Sequence, residues 1–244
     1  MSAKVILAEL KKMGTAQNRK IYVRHGAHDP MFGVSYANLG KLTKRIKTDH
    51  SLAIALWDSG YHDAQVLAMK VADPAAAKAG EIDRWYRSLK SGLIANELGG
   101  FVAKTKFAES RAIKWVAAKG EWQGTAGWSL VTCLAKDSSC DDDFFLSHLD
   151  VIESSIHDQK NKVRDAMNWA LIAIGCRNAK LQKRALAVAK AIGKVKVDHG
   201  ETSCTTKDAA AYIRKTKAHY AAKKKKPSRK KKLARRSRAK TRVK

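Results

Sequence analysis

Apolar residues along the chain fall mostly at helical spacing. Between 162 and 175, Val163, Ala166, Met167, Ala170, Leu171 and Ile174 occupy i, i+3, i+4, i+7, i+8 and i+11, one continuous stripe. Leu181, Ala185, Val188 and Ile192 repeat the pattern over 178–192, and Leu39, Leu42 and Ile46 over 36–47. Residues 50–57, 61–72, 80–98, 108–119, 125–136 and 142–157 also read as helices. Start and stop signals agree. Asp73-Pro74 offers an N-cap followed by proline, and Asp141, Asp142 and Asp143 place negative charge at a helix start. Residues 205–208 resemble a capping box before AAAYIRKTKAH, and Gly175 and Gly193 are C-terminal stops. Strand signals are nearly absent; only 195–204 reads as extended. The pattern predicts an all-α chain of about ten helices with short connections. Stacked helical hairpins make an α-solenoid, with a compact orthogonal bundle as the alternative. No strict repeat chooses between them.

Composition narrows the class. The 244 residues are 45% hydrophobic, enough for a core. No apolar run approaches the ~18 residues that a membrane span needs. The N-terminus, MSAKVILAELKK, lacks a secretory apolar region. Four cysteines without a CxxC pair predict a reducing intracellular compartment. Three prolines argue against a loop-rich fold.

Charge changes the picture more. The chain carries 49 Lys+Arg against 22 Asp+Glu, a formal charge of +27. Residues 223–244 hold 14 Lys/Arg and no acid, leaving 35 basic and 22 acidic side chains, or +13, on residues 1–222. The tail comprises Lys223, Lys224, Lys225, Lys226, Arg229, Lys230, Lys231, Lys232, Arg235, Arg236 and further cations. It is expected to be disordered alone and to bind a polyanion, DNA or RNA by default. A solubilising tail, a nuclear address, or a lipid-surface binder that no acyl motif or amphipathic partner supports are the other readings. The body excess exceeds the ~2–8 that solubility asks of a small domain, which predicts a basic face.

Candidate contacts come from the helical wheel. Lys41, Lys44 and Arg45 lie away from the Leu39/Leu42/Ile46 face, and Lys183, Lys190 and Lys194 share another face. Trp169 lies roughly 140° from the centre of its helix's stripe. Such a Trp packs on another helix, sits exposed, or stacks on a sugar or base. Metal and nucleophile signals are weak. His199, Glu201 and Cys204 match no zinc spacing and read as a turn that caps nearby helices. The cysteines read as small buried hydrophobes. No Gly-rich phosphate loop or GxSxG occurs, and no metal or cofactor is expected.

The runs NRKIYVRHG (18–26), FGVS (32–35), IKTDHSLAIALWDSGYHDAQVLAMKVADP (46–74) and RDAMNWALIAIGCRNAKLQKRAL (164–186) resemble the AlkD-like DNA alkylation repair family. The similarity spans about 4–217, and VDHGETSCTTKDAAAYIRK (197–215) is similar to one branch of it. The resemblance implies HEAT-like helical repeats curved around a basic concave cleft. It implies an alkylpurine DNA glycosylase: a carboxylate beside Trp residues stabilises a cationic sugar while N3- or N7-alkylated purine leaves. Trp169 matches the family's second cleft Trp. Gly92 stands where the first Trp belongs, Asn96 where the Asp belongs, and Thr125 where an Arg belongs. Asn96 cannot supply anionic charge. Its substitutes are Glu97, one step of about 100° away, or Asp83.

The expectation is therefore a DNA-binding relative that grips double-stranded DNA, alkylated or branched, in its cleft. Base excision at Asn96 or Glu97 is one reading; a non-catalytic DNA-structure binder and a helical-repeat protein scaffold are the alternatives. No membrane partner is expected. The chain should be monomeric and cytoplasmic, nucleoid-associated, or nuclear in a eukaryote. Two domains are expected, a repeat body over 1–222 and the tail over 223–244.

Overall fold

The computed structural model describes residues 2–137 and 140–225, and among them every regular element is helical. The helices are α1 (Ala3–Met13), α2 (Ala16–Arg24), α3 (Tyr36–Ile46), α4 (His50–Asp58), α5 (His62–Val71), α6 (Ala79–Arg87), α7 (Gly92–Val102), α8 (Ala108–Val116), α9 (Glu121–Asp137), α10 (Asp142–Ser155), α11 (Asn161–Gly175), α12 (Ala179–Ile192) and α13 (Ala209–Lys225). A single 3-10 turn, Ile156–Asp158, follows α10. No described helix is long and apolar enough to cross a membrane.

Consecutive helices pair as hairpins, α4–α5 through α12–α13, and the hairpins stack. Their second helices form a continuous inner row, α5, α7, α9, α11 and α13, each touching the next, with α3 before α5. The first helices form an outer row against it. This is the curved two-layer solenoid, and the orthogonal bundle is excluded. Position in the row sets the width of each buried arc. α11 has neighbours on both sides and buries ten of its fifteen residues. α12 lies outside and buries only Leu181, Ala185 and Val188.

Glycines set how closely the inner row packs. A Cβ at Gly99 of α7 would lie 2.8 Å from the Ala126 carbonyl oxygen and 2.9 Å from the Leu130 nitrogen, both on α9. Backbone atoms cannot swing away as a side-chain tip can. Gly99→Ala is expected to push α7 from α9 and to destabilise the fold by about 1–3 kcal/mol, read from urea unfolding.

Several boundaries differ from the apolar pattern. The stretch 80–98 is two helices, because the chain turns at 88–91. Ser91 caps α7 by accepting from the Ile94 amide, while buried Leu89 carries the apolar pattern across the break. Asp73-Pro74 starts no helix: Asp73 accepts from the Ala75 amide in a turn, and α6 begins at Ala79. α9 starts a turn earlier than expected, at Glu121. Asp141 caps α10 and Asp208 accepts from the Ala211 amide at the start of α13. Gly193 closes α12 at φ +63°, whereas Gly175 is the last residue inside α11. Residues 193–208 are non-helical and form no strand.

His62-Asp63 is a structural device. Asp63, fully buried in the first turn of α5, accepts from the backbone N–H of Phe32 (2.6 Å), Gly33 (3.3 Å) and Val34 (2.6 Å). It thereby fixes the connection into α3. At the other end, α13 continues through Lys225, three residues into the lysine-rich run. Lysine is a good helix former, and the negative end of the helix dipole favours cations there.

Candidate functional site

The open side of the inner row carries a groove of about 510 Å3. α7 contributes Gly92 and Asn96, α9 contributes Trp122, Thr125 and Ser129, and α11 contributes Asp165 and Trp169. The four positions singled out in the sequence, Gly92, Asn96, Thr125 and Trp169, thus meet in one groove although the last lies 77 positions after the first.

Each has a definite neighbourhood. The space where Gly92 would carry a Cβ faces the Trp122 indole, 3.5 Å away. An aromatic ring from α9 therefore lies beside the bare position on α7. Asn96 is exposed, and its Oδ1 accepts from the Ser129 hydroxyl. Thr125 is buried and donates to the Glu121 carbonyl within its own helix (2.8 Å). Trp169 is 37% exposed, and its ring meets Tyr212 edge-to-face at 5.5 Å between centroids. A third of its surface is thus open to a ligand on a helix whose other residues are buried or half-buried.

The acids sort differently from expectation. Glu97 is not among the residues lining the groove. It leans toward α5, where both carboxylate oxygens accept from Lys70 Nζ at 3.2 and 3.0 Å. Asp83 pairs with Arg111 at 2.9 Å. The one acid lining the groove among the described residues is Asp165. It stands four residues before Trp169, one turn along the same face of α11. Burial pushes its carboxyl above the usual range, while the charges of His199 and Lys162 pull the other way. Sequence reading missed Asp165 and Trp122. The i, i+4 spacing to Trp169 was the available signal for the first; an earlier start for α9 would have exposed the second.

The cations also divide. Lys136, Lys162 and Lys207 line the groove. Lys41 and Lys44 are exposed on α3 and Arg45 is held by Glu9 of α1, all away from the lining. Lys183 and Lys190 are exposed on the outer helix α12, and Lys190 and Lys194 border a separate depression between α12 and α13 with Arg214. Lys223 is exposed at the end of α13; Lys224 and Lys225 belong to the same helix. Lys226, Arg229, Lys230, Lys231, Lys232, Arg235 and Arg236 lie outside the described residues.

One edge of the groove is the loop 193–208. Asn161 of α11 donates to the Asp198 carbonyl (2.7 Å) and accepts its amide (2.8 Å). Asn168, buried in the same helix, donates to the Lys207 carbonyl (2.9 Å). Pinned at both points, the loop sets His199, Thr202 and Cys204 against the groove. His199 bonds Thr206 within the loop (2.9 Å) and caps no helix. No group of three His, Cys, Asp or Glu able to hold a metal occurs among the described residues. The cysteines are less uniform than expected: Cys140 is buried, Cys133 and Cys176 are half-buried, and Cys204 is exposed on the loop. Burial pushes the Cys133 thiol up, which disfavours the thiolate inside the groove.

Past Trp169 the groove opens into a second space of about 690 Å3 between α9, α11 and α13. Thr132, Lys136 and Trp169 line both.

Comparison with known proteins places this geometry. A family model described as DNA alkylation repair enzyme matches residues 6–213. The uncharacterized protein Lin0241 of Listeria innocua is 27% identical over 220 residues, covering 86% of this chain and 94% of that protein. Lmo0209 of Listeria monocytogenes is 26% identical over the same shares of each. A solved structure superposes with a TM-score of 0.80 at 27% identity, covering 88% of this chain and 93% of that one. It is described as representing a new family of proteins related to the HEAT-like repeat DNA glycosylases with affinity for branched DNA structures.

Proposed function

Since the chain belongs to the DNA alkylation repair enzyme family, we propose that it is a HEAT-like repeat protein that holds branched DNA in its groove without excising alkylated purines. The neutral amide at Asn96 carries this reading. A transition state with an oxocarbenium-like sugar asks for fixed negative charge, and loss of one preorganised electrostatic partner typically costs 10²–10³-fold in rate. Asn96 meets Ser129 instead of bearing a charge, Gly92 offers no ring, and Thr125 offers no cation. Binding features persist: exposed Trp169, and Lys136, Lys162 and Lys207 around the groove. The likeness to a protein with affinity for branched DNA supports the choice of ligand.

Asp165 favours a second reading, excision by a carboxylate relocated to α11. One set of measurements tests both. The full chain is expected to bind a four-way junction and to release no 7-methylguanine from alkylated duplex DNA. Lys136→Glu with Lys207→Glu should weaken junction binding by about ten-fold, with a salt slope flatter by about 2. Release that Asp165→Asn abolishes would replace the binding reading with the second. Junction affinity unmoved by the charge reversal would remove the groove from the binding surface.

A further inference from the structure

We propose that the groove and the space beyond Trp169 form a stacking track for unpaired nucleobases, so that the protein takes the single-stranded arm of a branched DNA. This rests on the DNA-binding reading above and adds which part of the DNA enters.

Four aromatic residues lie along consecutive inner helices: Trp122 on α9, Trp169 on α11, Tyr212 and Tyr220 on α13. Trp169, Tyr212 and Tyr220 are 37%, 36% and 53% exposed. Tyr36 is the one other large aromatic residue comparably exposed among the described residues, so the exposed rings are concentrated at Trp169 and in the space beyond it. In the Trp169–Tyr212 pair the rings stand at 83°, so the ring presenting its edge keeps both faces uncovered by its partner.

A paired duplex offers such rings its sugars but keeps its base faces covered. Its outer surface offers phosphates and base edges, which cations and hydrogen-bonding groups read. Ring faces become available when bases are unpaired, and each base stacked on an aromatic side chain contributes substantially whatever its identity. Charge fits the same occupant. Among the described residues no acid lines the space beyond Trp169, and exposed Lys136 stands where the two spaces join, placed for a backbone phosphate. Asp165, beside Trp169, repels phosphate but accepts hydrogen bonds from base amino groups. The groove floor therefore suits bases and its rim suits backbone.

The test uses the full chain, wild type and the double variant Tyr212→Leu, Tyr220→Leu. Leucine retains apolar contact while removing the stacking face, and a melting curve checks that the variant folds. Affinities are measured at one salt concentration for a single strand, a fork with single-stranded arms, a fully paired four-way junction and a duplex. Wild type should prefer the fork to the duplex. The variant should lose about ten- to hundred-fold on strand and fork, and less than about two-fold on junction and duplex. Quenching of indole fluorescence should accompany single-strand binding and not duplex binding. Equal losses on paired and unpaired DNA, or no loss on either, would overturn the track while leaving DNA binding intact. Failure of wild type to bind any of the four would overturn the broader reading as well.

Discussion

Removing residues 226–244 is expected to weaken binding to every form of DNA by about a hundred-fold or more at low salt, and to flatten the salt dependence. The segment holds 11 of the 14 tail Lys/Arg; Lys223, Lys224 and Lys225 remain on α13. Each phosphate neutralised contributes about 0.9 to the slope of log affinity against log salt, so a segment engaging even half its cations changes the slope by about 5. The deletion point follows the last described residue of α13, so every described residue of the helix bearing Tyr212 and Tyr220 is kept. Discrimination between fork and duplex should survive, because dense cations recognise phosphate and carry no information about pairing. Titrations at several salt concentrations, full chain against residues 1–225, separate the two contributions. An unchanged slope would assign the segment to targeting or solubility instead.

The division between segment and body also explains which parts of the site were legible in the sequence. Helical spacing gave α11 and α12 nearly to the residue, and it placed Trp169 off the core face. Family positions then brought Gly92, Asn96 and Thr125 into the same groove. The predicted cations failed to arrive there for a physical reason. Amphipathic spacing tells which face of a helix meets solvent, not whether that solvent lies inside the curve or outside it. Lys183 and Lys190 satisfy the wheel of α12 and still do not line the groove, since α12 belongs to the outer row. The breadth of the buried arc held the missing information: α11 is buried over most of its circumference and α12 over a narrow stripe. The loop edge was illegible for another reason. Asn161 and Asn168 fix it through backbone groups of residues 198 and 207, and backbone partners leave no pattern in side chains.

Asp63→Ala should cost about 3–5 kcal/mol of stability and Asp63→Asn about 2–3 kcal/mol. Asp63 is fully buried, and its two oxygens divide three backbone donors: Oδ2 accepts from Phe32 and Gly33, Oδ1 from Val34. Alanine leaves all three amides without this partner. Asparagine keeps one oxygen, but whichever way the amide is turned, its NH2 faces a backbone N–H, donor against donor. At least one buried amide then loses its acceptor, and an unsatisfied buried donor costs more than a hydrogen bond contributes when formed. The loop these amides belong to also holds the Val34 carbonyl, which accepts from the buried Tyr22 hydroxyl, so α2 loosens with it. For a chain of this length each kcal/mol lowers the melting temperature by about 2–4 °C, so Asp63→Ala should melt about ten degrees early. Asp29→Asn is the control: that carboxylate is exposed in its pair with Arg19, and its loss should stay within about 0.5 kcal/mol. Equal, small losses for Asp63→Asn and Asp29→Asn would show that Asp63 does not hold the loop.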